Sequence, residues 1–219
     1  MKRLLSISTL YPAPGRAGFG RFVSRQMEAL AARGDWQVTV VNPIGQPPLP
    51  LKRYAALKAI PRVELQGEIT VHHPRFHLVP GLSGPINPSL IAHAILPLAR
   101  QLHAEQPFDI VDAQFFYPDG PAAAKVAQAL GLPLAIKARG SDIHLWGEKS
   151  LARRQMLAAA QQASVLLAVS RDVRKPSNSS LALSLKFPAS SACSATARNG
   201  ACASNTRCSP APTAWRRRT

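Results

Sequence analysis

From its N-terminus to Arg174 the chain alternates short β-rich apolar runs with longer segments of helical period. That pattern leaves few folds open besides a parallel sheet with crossover helices. Strands are expected over Leu4 to Ser8, Trp36 to Val41, Ile69 to His73, Ile110 to Ala113, Leu134 to Ala138 and Val165 to Val169. Between them, Phe22, Val23, Met27, Leu30 and Ala31 recur at helical spacing as far as Gly34. Asn87-Pro88 opens a second helix, whose apolar positions Leu90, Ile91, Ala94, Ile95, Leu98 and Leu102 share one face, with Pro97 expected to bend it. Further helices are expected from Pro121 to Leu130, stopped by Gly131, and from Leu151 to Ala163. A short helix near Arg53 to Ile60 completes the set, and Ser170 is placed to cap a last helix. The expected fold is α/β, a Rossmann-like parallel sheet with flanking helices over residues 1–174.

At Lys175 the periodicity stops. Residues 175–219 hold nine Ser and nine Ala, no acid, and all three cysteines, Cys193, Cys202 and Cys208. Such a composition does not repay its ordering entropy, so a disordered basic tail is expected there. Translation out of frame in GC-rich DNA gives the same composition and is the reading preferred: Lys175 to Ser180 can be encoded so that a shifted frame reads Ala-Ile-Glu-Gln-Leu, a continuation of the helix begun at Ser170. The remaining cysteine-free domain suits an intracellular setting.

Charge follows the same division. Of the net +16, seven basic residues lie in 175–219, and residues 1–174 keep +9, which favours anionic partners. No apolar run is long enough to span a bilayer. Lys2-Arg3 before Leu4 to Leu10 has the outline of a signal peptide, but Ser6, Ser8 and Thr9 make it short and polar, and a buried first strand fits better.

Ligands of open α/β sheets gather beyond the carboxyl ends of the strands, and the unusual residues fall there. After strand one comes Tyr11 to Arg21, in which Gly18 and Gly20 permit close backbone approach before a helix N-terminus, an arrangement suited to a phosphate or to a flexible turn. Gly18-x-Gly20-x-x-Val23 lacks the third small residue of a dinucleotide fingerprint, strand two ends without a ribose-binding acid, and no Walker A sequence occurs. After Ala113, Gln114-Phe115-Phe116-Tyr117-Pro118-Asp119-Gly120 places aromatic rings beside an acid: Tyr117 suits the wall of a sugar pocket, and Asp119 a substrate contact or a helix cap. Lys137-Ala138-Arg139-Gly140-Ser141-Asp142-Ile143-His144 puts two bases, a glycine, an acid and a histidine at one strand end. There Asp142 can orient a hydroxyl or assist proton transfer, and His144 is of the residue type that can exchange a proton near neutral pH, although an Asp after Gly-Ser also serves as a turn or cap. His72, His73, His77, His93 and His103 lack metal-ligand spacing, so no metal is assigned.

Taken in order, Phe19-Gly20-Arg21-Phe22-Val23, Asp112 to Gly120, Arg139-Gly140-Ser141-Asp142-Ile143 and Leu166 to Ser170 resemble the N-terminal half of group 1, family 4 glycosyltransferases, over about residues 3–174. The resemblance implies the N-terminal half of a GT-B fold, retaining transfer of a sugar from a nucleotide-sugar donor to a glycan or lipid-linked acceptor, and no required metal or other cofactor. It also implies that Gly18 and Gly20 face the donor diphosphate and that Gly140 and Asp142 belong to the loop at the reacting sugar. Asp142 is then the first catalytic candidate, with His144 beside it and Arg139, Gly140, Tyr117 and Asp119 as substrate-binding residues. A substrate-assisted reaction would leave Asp142 positioning groups instead.

The family's C-terminal domain, with its paired glutamates, has no counterpart in residues 175–219, which contain no Glu. The chain is therefore expected to lack normal turnover on its own. Its location is expected to be cytoplasmic, with peripheral contact at the inner face of the membrane through its positive charge. Two other readings are a basic nucleic-acid-binding protein, for which only Arg216-Arg217-Arg218 and a pI of about 11.1 speak, and a Rossmann-type nucleotide-binding oxidoreductase, which the glycine spacing disfavours. No specific nucleic acid is expected as a partner.

Overall fold

A computed structural model describes residues 1–48, 54–79 and 83–169. Their central element is a seven-stranded sheet: β1 (Lys2–Ile7), β2 (Trp36–Val41), β4 (Val63–Gln66), β5 (Ile69–His72), β7 (Ile110–Ala113), β8 (Leu134–Ala138) and β9 (Val165–Ala168) lie in the order β4-β5-β2-β1-β7-β8-β9. Every neighbouring pair is parallel except β4 with β5. A separate parallel pair joins β3 (Ile44–Gln46) to β6 (Arg75–His77). The α/β expectation holds. The expected tail, 175–219, and the helix expected after Ser170 lie outside the described residues.

The helices are α1 (Arg21–Ala31), α2 (Ala55–Lys58), α3 (Asn87–Glu105), α4 (Asp119–Leu130), α5 (Ser141–Trp146) and α6 (Ser150–Gln162). Pro97 lies inside α3, which continues through it to Glu105. Strand alternation decides which helix meets which face. Leu4, Val38, Val40, Ile69 and Val71 point to one side and pack with Val23, Met27 and Ala31 of α1. On the other side Ile136 meets α4 at Gly120, and its register partner Ala113 stands beside Ile7. A sheet buried on both faces explains the near-continuous apolar strands, and each Leu or Ile side chain removed from water there contributes about 1.5–3 kcal/mol.

The sheet also carries buried charge. Lys137 of β8 pairs with Asp112 of β7, their side chains 9% and 3% exposed, and the Gln114 amide donates to the same carboxylate and to the Ser6 hydroxyl. Ser6 and Asp112 are register neighbours, so this polar group spans three adjacent strands near their carboxyl ends.

Candidate functional site

The carboxyl ends of β1, β7 and β8 bring most of the expected site residues together, and the geometry shows what each side chain touches. Asp142, on the first turn of α5, is buried. Its carboxylate accepts the backbone N–H groups of Phe116 at 2.6 Å, Gly140 at 2.8 Å, and Arg139 and Ile143 at 3.1 Å. One carboxylate thus closes the α5 entry and ties it to the loop after β7. The positive φ of 111° at Gly140 turns that loop so that consecutive N–H groups face the same acid, a conformation costly for any side-chain-bearing residue.

Arg139 is drawn inward as well. Its Nε donates to the Gln114 carbonyl at 2.8 Å, and one terminal nitrogen donates to the Gln114 and Gln26 side-chain oxygens at 2.6 and 2.9 Å. The guanidinium lies 4.9 Å from the Phe22 ring centre and 5.4 Å from that of Phe115. Burial lowers its pKa, opposed by the negative charges of Asp112, Asp142 and Asp119. Arg139 therefore fastens the start of α1 to the end of β8.

Tyr117 is buried: its hydroxyl donates to the Gly84 carbonyl at 2.8 Å and its ring lies 4.7 Å from that of Trp146. Desolvation pushes its pKa up to about 12. Asp119 begins α4, fully buried, and accepts the Thr9 hydroxyl at 2.7 Å and the Thr9 N–H at 3.2 Å. His144, two residues beyond Asp142, is exposed. Asp142 turns into the fold and His144 out of it, so the two catalytic candidates do not share a cavity.

The two loop glycines separate. Gly20 has φ 73°, and a Cβ there would lie 2.3 Å from the Leu10 carbonyl oxygen, so helix α1 starts against the backbone that leaves β1. Gly18 has no such neighbour: a Cβ would meet nothing within 4 Å.

A cavity of about 260 Å³ opens on the β1–β2 side of the strand ends. None of the eight expected site residues lines it. Its walls come from the turn after β1 (Thr9, Arg16, Phe19), the β2–β3 junction (Pro43, Ile44), the rings of Tyr54 and Phe76, and the start of α3 (Asn87, Ile91), with Pro118 closing one side. Asn87 carries a buried amide oxygen without a hydrogen-bond partner. Phe19 and Pro118 belong to segments that carry the family resemblance; for the other wall residues the signal available in the sequence was positional, since Thr9 and Pro43 lie two residues past the first two strands. Among the described residues no three His, Cys, Asp or Glu side chains group as metal ligands, and no helix is long and apolar enough to cross a membrane.

The described residues form a Rossmann-like α/β domain with a cavity at the carboxyl ends of its strands. Its sequence is more specific: the chain belongs to Glycosyltransferase Family 4, whose model matches residues 16–177. A protein of Bacillus subtilis (strain 168) assigned to teichuronic acid biosynthesis as a glycosyltransferase, TuaC, is 30% identical over 178 residues, covering 79% of this chain and 45% of that protein. The chain thus spans less than half the length of that relative. Among solved structures, a UDP-GlcNAc 2-epimerase from Methanocaldococcus jannaschii is similar over 80% of this chain and 41% of its own, with TM-score 0.44 and 14% identity. UGT2 of Phytolacca americana, complexed with UDP-2-fluoro-glucose and pterostilbene, matches 66% of this chain and 32% of its own, with TM-score 0.38 and 17% identity. Both overlaps are partial, and the family assignment rests on the sequence match.

Proposed function

We propose that residues 1–174 form the acceptor-holding domain of a retaining glycosyltransferase that takes its sugar from a nucleotide-sugar donor and needs no metal. The observation that carries the reading is the cavity beyond β1 and β2 in a chain of this family. The Phe76 ring presents a face for the apolar side of a sugar, and Thr9 and Asn87 present groups for its hydroxyls. The acceptor is a glycan or a lipid-linked glycan.

In this reading the loop of Gly18 and Gly20 faces the donor diphosphate, and the open space at Gly18 admits it. Asp142, Arg139 and Gly140 act by position: they fix the loops after β7 and β8, and Asp119 fixes Thr9 at the cavity. Tyr117 braces α5, and His144 is left as the exposed titratable group of that helix. The TuaC match covers less than half of TuaC, and in this reading donor binding is assigned to sequence beyond the matched domain. The +9 charge of residues 1–174 supports a cytoplasmic location with peripheral contact at the inner membrane face.

Ligand-observed NMR on the purified chain tests the acceptor site. Saturation transfer to the sugar protons of a phenyl glycoside is expected, and Phe76→Ala should reduce it several-fold. Absence of transfer from the unmodified chain overturns the reading. Sugar transfer by the chain alone, abolished by Asp142→Asn with the urea midpoint unchanged, would overturn the positional role of Asp142. Sedimentation with liposomes that does not depend on anionic lipid removes the membrane contact.

A further inference from the structure

Resting on the reading of the cavity as an acceptor site, we infer that the acceptor is anionic at the sugar bound there, its carboxylate or phosphate taken by Arg16. Arg16 is the only charged side chain among the described residues lining the cavity, and no acid lines it. Its guanidinium stacks 3.8 Å above the Phe19 ring. None of the described carboxylates lies within ion-pair distance of it. A half-buried cation without a counter-ion, held over an aromatic face beside an apolar pocket, is stabilised by an anion that brings its own negative charge.

The backbone makes this a placed group, not a wandering surface arginine. Arg16 N–H donates to the Ala13 carbonyl at 2.8 Å, and the Arg16 carbonyl accepts the Phe19 N–H at 3.0 Å, so the residue sits at the junction of two turns. Ala13 is in turn packed with Ile60 and with Ile44 and Leu57, which line the pocket. The planar guanidinium presents paired N–H groups, the geometry that a carboxylate or phosphate accepts in bidentate fashion. Asn87 lines the same pocket, and its partnerless side-chain oxygen can accept a hydrogen bond donated by a sugar hydroxyl. An acidic hexose meets both demands at once, whereas a neutral hexose leaves the cation unpaired.

Titrations of the full chain with phenyl β-D-glucuronide, its methyl ester, phenyl β-D-glucoside 6-phosphate and uridine 5′-diphosphate, followed by ligand-observed NMR, test this. The glucuronide or the phosphate is expected to bind at least tenfold more tightly than the ester, and the tighter of the two identifies the source of the anion. Arg16→Gln should bring the charged ligands down to the affinity of the ester, with the circular dichroism spectrum unchanged. The charged-versus-ester comparison needs no variant, so it stands even if Arg16→Gln does not fold. Equal binding of the glucuronide, phosphate and ester overturns the anionic acceptor while leaving the acceptor pocket in place. Binding of no saccharide overturns the pocket reading itself. Arg16-dependent binding of uridine 5′-diphosphate that exceeds both charged saccharides assigns Arg16 to the donor and overturns the inference.

Discussion

Thr9 gives both its hydroxyl, at 2.7 Å, and its backbone N–H to the carboxylate of Asp119, and Thr9 is also part of the cavity wall. A fully buried acid on α4 therefore sets the position of a residue in the cavity wall.

That burial makes the fold pH-dependent. Desolvation, with a further push from Asp142, raises the Asp119 carboxyl to about 7, against the lowering effect of the Thr9 hydrogen bonds and of Arg139. An unfolded Asp titrates near 3.9. Between these values the folded chain holds a proton that the unfolded chain has lost, so stability falls as pH rises through the window and levels off above it. The expected contribution is on the order of 2–4 kcal/mol. Urea unfolding of the unmodified chain and Asp119→Asn at pH 5 and pH 8 should show the difference between them changing in that direction. Parallel pH profiles would refute the assignment.

Asp142 is predicted to matter to folding before it matters to chemistry. Its four backbone donors come from the loop after β7, from the residues leading into α5 and from α5 itself. Asp142→Ala leaves buried N–H groups without an acceptor, at a cost of about 3–5 kcal/mol. Asp142→Asn, which keeps one acceptor oxygen, should cost roughly 1–3 kcal/mol. Unchanged urea midpoints for both variants would return Asp142 to a purely chemical role.

The two glycines of the first loop should respond differently to a methyl group. Gly20→Ala places a Cβ 2.3 Å from the Leu10 oxygen in a left-handed conformation, with an expected loss of about 2–5 kcal/mol. Gly18→Ala meets nothing within 4 Å and should stay within about 0.5 kcal/mol. Equal thermal shifts for the two variants would mean that the loop does not pack as described.

The contrast between what the sequence reveals and what it hides has physical causes. Trp36–Val41, Ile110–Ala113 and Leu134–Ala138 are strands over the expected bounds, because strands buried on both faces are continuous apolar runs between turn residues. The antiparallel edge strand Val63–Gln66 has one exposed face and polar Glu64 and Gln66, so its periodicity is weak. β3 and β6 are three residues each and form only by pairing with one another. Helix α5 follows a glycine whose backbone no propensity scale describes, and the expected loop there is a turn and a half of helix. The residues at the ends of β7 and β8 were legible through their chemistry, but chemistry does not give direction: Asp142 and Arg139 spend their polar groups on the fold. The cavity as a whole was not legible because its walls converge from segments far apart in the chain, each ordinary alone.

Buried charge gives the last prediction. Lys137 and Asp112 face each other across adjacent strands with little exposure, and Asp112 also accepts the Gln114 amide at 2.6 Å. Gln114 in turn accepts Arg139 through its side-chain oxygen, so the pair is linked to the arginine that fastens α1. Lys137→Met leaves an uncompensated carboxylate under the sheet and should cost about 3–5 kcal/mol, whereas replacing both charges removes the attraction and the desolvation penalty together. Lys137→Met with Asp112→Leu is therefore expected to be more stable than Lys137→Met alone. Urea unfolding of the two single variants and the double variant measures the coupling. Simple addition of the single losses would show that the two charges do not stabilise each other, and the link from the sheet core to Arg139 would have to run through Gln114 alone.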